Sequence, residues 1–156
     1  FLTAAQLRKQ GRTEEAAEHL EIAADGGHPR AATILGKWYR DGKGVQRDLT
    51  RAFEYLLVAA DLGDGEGLET LTRLAGAHRD AALAVALDVT RTRPDNARAW
   101  VLLGELLVAR GERNAAADAF RGAIRAADDR ARVGDAAALR AIFDANVGLG
   151  PLTPPR

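Results

Sequence analysis

The chain has 156 residues, of which 47% are hydrophobic and only 5% aromatic, a composition that permits a folded chain with a core. Its 22 basic and 22 acidic residues cancel, so no bulk charge attracts nucleic acid or an anionic membrane, and we expect neither as a partner. The absence of cysteine excludes disulfides, thiol catalysis and thiolate metal sites, and fits a cytoplasmic protein.

Alanine is abundant and strand signals are nearly absent, which favours closely packed helices. In chain order, the apolar spacing and the glycine and proline positions predict four helical hairpins and a last helix. Their predicted bounds are residues 1–10 with 13–25, 29–41 with 48–62, 65–76 with 79–92, 95–110 with 113–127, and 133–146. Since Phe1-Leu2 begins inside a helical pattern without methionine, we expect a segment of a longer polypeptide.

Turn residues separate these helices. Pro29 suits a first helical turn, where its missing N–H removes no hydrogen bond. Between the helices of the second hairpin, Gly42 and Gly44 permit backbone angles closed to other residues, Val45 can tuck inward, and Asp48 or Thr50 can cap the next helix.

The last predicted helix follows Asp135, a plausible N-terminal cap, and would close the stack. The segment Gly148-Leu149-Gly150-Pro151 reads as unable to continue a helix. We therefore predict a helical-repeat domain over residues 1–146 and a tail or linker over 147–156.

Two segments resemble known repeats. The pattern from Ala32 to Gly63, with Leu35-Gly36, Tyr39 and Ala59-Ala60 among its small and aromatic positions, is similar to a SEL-one-like repeat. The segment Ala97 to Asp128 resembles a tetratricopeptide repeat, and its matching positions are Trp100, Leu103, Gly104, Ala116, Phe120 and Ala123. Leu107 departs from the usual tyrosine, and residues 65–94 align only with about two residues deleted from a 34-residue period.

The resemblance implies an all-α fold, a right-handed α-solenoid of about four helical hairpins plus a C-terminal capping helix. In such a stack, Gly36, Ala52, Gly104 and Ala116 lie where neighbouring helices approach. We therefore expect Gly104→Leu to destabilise the fold by roughly 1 to 3 kcal/mol through overpacking.

No constellation of catalytic or metal-ligating residues is evident. His19, His28 and His78 lack paired spacing, and the adjacent carboxylates Glu14-Glu15 and Asp128-Asp129 point in different directions on a helix. Gly42-Lys43-Gly44 lacks the spacing of a phosphate-binding loop. Among the aromatic residues, Trp38 is the one that the repeat pattern explains least. We predict no enzymatic activity, no cofactor and no metal site.

The first helices of stacked hairpins line an inner surface, so the family geometry predicts a partner-binding groove. Its predicted residues are Arg8, Arg30, Thr33, Lys37, Arg40, Glu69, Arg73, Arg98, Val101 and Glu105. The first half is mostly basic, which suggests an acidic segment or a terminal carboxylate as the bound group. The alternative is that these are solvated charges on helix faces.

The pattern as a whole predicts a protein–protein interaction scaffold or adaptor that holds a peptide or partner domain and belongs to a larger regulatory protein. The alternative is a self-association domain that sets the oligomeric state, with the groove or the first helix packed on another copy. A measurement of molecular mass at several concentrations distinguishes these two functions, because a monomer mass that does not change with concentration weakens the self-association alternative.

Overall fold

The computed structural model describes residues 3, 6 and 11–152, and within them the chain forms eight α-helices and no strand. The helices are α1 (Thr13–Asp25), α2 (Pro29–Asp41), α3 (Leu49–Asp61), α4 (Gly65–Ala77), α5 (Arg79–Thr92), α6 (Ala97–Ala109), α7 (Arg113–Arg132) and α8 (Ala136–Leu149), followed by a 3₁₀ turn (Gly150–Leu152). The prediction of an all-α, helical-repeat chain is confirmed.

Polar side chains begin most of these helices by accepting a hydrogen bond from the backbone N–H three residues on. Asp48 accepts from Arg51 at 3.2 Å, Asn96 from Ala99 at 3.0 Å and Asp135 from Ala138 at 3.1 Å. Each bond satisfies an N–H group that has no partner inside its own helix. The predicted caps at Asp48 and Asp135 are thus confirmed.

The chain divides into two compact units, residues 1–78 and 79–156, and the boundary falls between the two helices predicted as the third hairpin. In the first unit, helices α2 and α3 pack closely because Gly36 has no side chain. A Cβ at Gly36 would lie 2.7 Å from Cγ of the buried Leu56. Phe53 and Leu35 are fully buried in the same core.

In the second unit, the core is centred on Phe120 of α7, whose side chain is 1% exposed. A Cβ at Gly104 of α6 would lie 2.6 Å from its ring, and one at Gly148 of α8 would lie 2.4 Å from it. Three helices therefore meet around one phenylalanine, and two glycines make room for its ring.

The C-terminal end differs from the sequence prediction. Helix α7 continues to Arg132, five residues beyond its predicted end, and α8 extends through Gly148 to Leu149 before the 3₁₀ turn. The expectation that Gly148-Leu149-Gly150-Pro151 cannot continue a helix is wrong at Gly148 and Leu149. The tertiary contact with Phe120 outweighs the low helix propensity of glycine.

Candidate partner-binding face

In the first unit, Arg30 and Lys37 of α2 contact Glu66 of α4. Together with Glu69 and Arg73, which lie on the same side of α4 as Glu66, they define what we call the α2–α4 face. Arg30 and Lys37 both form ion pairs with the carboxylate of Glu66. The basic residues of α2 are therefore already paired with a carboxylate of the chain itself.

A partly buried hydrogen bond joins the two helices near these ion pairs. Thr33 is 0% exposed, and its hydroxyl donates to Asp64 Oδ2 at 2.6 Å. The same oxygen accepts the backbone N–H of Gly67 at 2.9 Å and so caps α4. The expectation that Thr33 lines a groove is therefore wrong, because its side chain is used to join α2 to the start of α4.

On α4, Glu69 and Arg73 are exposed and form an ion pair one helical turn apart. Pairs of this kind contribute only a few tenths of a kcal/mol, so both side chains can exchange this contact for one with a partner. The α2–α4 face as a whole presents three cations and two carboxylates on helices held rigidly to each other.

Arg40 makes its contacts with residues outside the α2–α4 face. Its guanidinium makes two hydrogen bonds of 2.9 Å with Asp41, and these bonds raise the pKa of Arg40 and lower that of Asp41. The backbone carbonyl of Arg40 accepts a bond from Arg47 in the following loop. Arg40, in the last turn of α2, is therefore in contact with the end of its own helix and with the loop that follows.

In the second unit, two of the three predicted groove residues are buried. Val101 is 1% exposed, and Arg98 is 5% exposed and pairs with Asp144 of α8 at 2.8 Å. Neither side chain is available to a partner in this fold, and the expectation for both is corrected. Arg8 lies outside the described residues.

Glu105 keeps an exposed edge, but the protein around its carboxyl group removes enough water to raise its pKa. The nearby charge of Arg98 acts in the opposite direction, and that of Asp144 adds to the rise. The two charged groups that act on Glu105 are thus the buried pair Arg98–Asp144, whose side chains bind each other.

Sequence reasoning missed an open cleft of about 530 Å³ where the loop after α2 meets the start of α3. We call it the loop cleft, and its lining residues are Tyr39, Val45, Gln46, Arg47, Asp48 and Arg51. Tyr39 stacks on Tyr55 with ring centroids 5.8 Å apart, and Arg51 lies 5.6 Å from the centroid of Tyr39. The four-residue spacing of Arg47 and Arg51 is the signal in the sequence that could have pointed to it.

Other candidates take structural roles. Trp38 is 6% exposed and belongs to the core of the first unit. His28 caps α2 by accepting the backbone N–H of Ala31 at 3.2 Å. Across residues 11–152, together with Thr3 and Gln6, no group of three or more histidine or acidic side chains is arranged to hold a metal ion. In the same part of the chain, no helix has the length and apolar character needed to cross a membrane.

Comparison with known proteins places repeats in the first unit. Residues 12–28 and 29–64 match the Sel1 repeat family. This part of the chain is similar to Sel1 repeats, and the resemblance inferred from Ala32 to Gly63 is confirmed. The second of these matched segments contains helices α2 and α3 and ends at Asp64, the cap of α4.

A solved structure titled "Crystal structure of MamA" is similar over 93% of this chain and 93% of its own, with 19% sequence identity and a TM-score of 0.38. No curated protein matches the chain. The repeat assignment rests on the Sel1 match and on the helix packing described above.

Proposed function

We propose that this chain is a protein-interaction scaffold that holds a peptide or partner domain on the α2–α4 face. Sel1 repeats generally mediate contacts between proteins, and helical repeats do so through extended surfaces formed by successive hairpins. The observation that carries the proposal is that Arg30 and Lys37 of α2, a helix of the Sel1-matched region, both pair with Glu66 of the next packed helix, α4.

Rigid placement supports this role. The Thr33–Asp64 hydrogen bond fixes α2 against α4, so the side chains above it are presented without reordering the backbone. A surface that is organised before binding loses less conformational freedom when a partner docks. Because Glu66 already neutralises part of the basic charge, we propose a partner of mixed charge whose carboxylate replaces Glu66 on Lys37 or Arg30.

A random-peptide phage library selected on the unaltered chain tests the proposal. The face variant is Lys37→Gln with Arg73→Gln, and the matched control is Arg79→Gln with Arg91→Gln, two exposed arginines of α5. Each contact of an exposed charge with the peptide contributes about 0.2 to 1 kcal/mol, so the face variant, which loses two charges, should bind the selected peptide about two- to thirtyfold more weakly. Equal affinity of the face variant would overturn the proposal.

Self-association is a second candidate, favoured by an apolar stripe on α8. Leu139, Phe143 and Val147 are 50%, 61% and 61% exposed and lie at successive four-residue intervals on one side of the helix. Exposed stripes of this kind often mark protein contacts. Multi-angle light scattering separates the functions: a mass that rises with concentration and falls in Phe143→Ser supports self-association, and a constant monomer mass excludes it.

A further inference from the structure

The loop cleft is built on a well-fixed loop. The backbone N–H of Asp48 donates to the carbonyl of Tyr39 at 2.9 Å, and those of Gly42 and Lys43 donate to the carbonyl of Trp38 at 2.7 and 3.0 Å. Gly44 has φ of +69°, and a Cβ there would lie 2.9 Å from the carbonyl oxygen of Thr13. The loop is thus attached to α2 and approaches the start of α1 closely.

Two arginines of the cleft are held by contacts that leave hydrogen-bond donors unused. Arg47 Nε donates to the carbonyl of Arg40 at 3.0 Å, and the two terminal nitrogens of Arg47 make no hydrogen bond within the described part of the chain. Arg51 donates from Nη1 to the hydroxyl of Tyr39 at 3.1 Å. The guanidinium of Arg47 therefore keeps its forked pair of donors for a ligand.

The carboxylates around the cleft are already used. Asp48 caps α3 through the backbone N–H of Arg51, and Asp41 is bound by Arg40. Glu21 accepts the hydroxyl of Tyr39 at 2.6 Å. Lys43 is exposed in the same loop. The charged groups at this end of the hairpin that have no carboxylate hydrogen-bonded to them are therefore cations.

We propose that the loop cleft binds an acidic segment of a partner protein, with one side-chain carboxylate held by the two terminal nitrogens of Arg47. The fork of a guanidinium matches the two oxygens of a carboxylate and gives two parallel hydrogen bonds. Val45, which is half-buried at the cleft, provides apolar contact for the neighbouring residue of the segment.

The cleft fits a carboxylate on a peptide better than a free phosphate. Its volume of about 530 Å³ is that of a site for several residues rather than for one small anion. This site is independent of the α2–α4 face, because Tyr39 lies about 200° around helix α2 from Lys37.

Fluorescence anisotropy with a fluorescein-labelled hexaglutamate peptide tests the proposal. Arg47→Gln should weaken binding at least tenfold, Arg47→Lys should weaken it less because it keeps the charge, and the control Arg79→Gln should bind as the unaltered chain does. Circular dichroism of each variant checks folding. On the unaltered chain, ¹⁵N-edited NMR should show peptide-induced shifts at Gln46, Arg47 and Arg51.

Three results would overturn the proposal. These are equal binding by Arg47→Gln and the unaltered chain, peptide-induced shifts that lie elsewhere, and inorganic phosphate that shifts the same amides at lower concentration than the peptide. The NMR measurement decides the matter without any variant if Arg47→Gln fails to fold. Retained cleft binding in the Lys37→Gln, Arg73→Gln variant would show that the two surfaces act separately.

Discussion

The close contact between Gly104 and Phe120 allows a sharp test of the packing. The Cβ of Gly104→Ala would lie 2.6 Å from the ring of Phe120, far inside van der Waals contact, and Gly148 covers another edge of the same ring. The ring therefore has little room to move aside. Overpacking costs about 1 to 3 kcal/mol, against a gain of up to about 1 kcal/mol from replacing glycine in a helix.

We expect Gly104→Ala to lose up to about 2 kcal/mol of unfolding free energy and Gly104→Leu about 1 to 3 kcal/mol. The matched control is Gly76→Ala in helix α4, where a Cβ would meet nothing within 4 Å. It should leave stability unchanged or raise it by up to about 1 kcal/mol.

Urea unfolding followed by Trp100 fluorescence, in a Trp38→Phe background, reports on the second unit without assuming that both units unfold together. Circular dichroism at 222 nm follows the Gly76→Ala control. If Gly104→Leu unfolds at the same urea concentration as the parent chain, the assigned contact between α6 and α7 is wrong. A double-mutant cycle with Phe120→Leu should show coupling, because the smaller side chain relieves the clash.

Three further predictions concern ionisable groups. Asp144→Asn leaves the charge of Arg98 buried without its partner and should lower unfolding free energy by about 3 kcal/mol in urea; an unchanged midpoint would contradict the buried pair. Glu105 has a raised pKa in the folded state, so the folded chain binds its proton more tightly than the unfolded chain and stability falls as pH rises through that range. Glu105→Gln should therefore be more stable than the parent at pH 7 and lose this pH dependence, whereas lower stability would refute the sign. Burial raises the pKa of Tyr55 to about 12 and also raises that of Tyr39, so the rise in tyrosine absorbance at 295 nm should occur at higher pH in the folded chain than in denaturant. Coincident titrations in the two states would contradict the burial of these rings.

The helices could be predicted from sequence because local signals and packing agree over most of the chain. Pro29, Asp48 and Asn96 mark helix starts, and Gly42 and Gly63 take positive φ at turns, as the pattern indicates. Gly148 is the exception. Its place against Phe120 depends on a contact 28 positions away in the chain, which no local pattern contains.

The candidate site was only partly predictable for a similar reason. Helical spacing places Arg30, Thr33 and Lys37 on one side of α2, but it does not say which of them a neighbouring helix covers. Thr33 lies deepest because Asp64, 31 residues later, accepts its hydroxyl. Arg98 and Asp144 are 46 residues apart, so the burial of Arg98 also required the fold.

Site-specific photo-crosslinking tests the central claim, that a protein partner docks on the α2–α4 face. A benzophenone side chain placed at Glu69 or Arg73 should crosslink to a peptide selected on the unaltered chain, and the same group at Arg91 should not. Crosslinking at Arg91 with none at Glu69 or Arg73 would contradict the account.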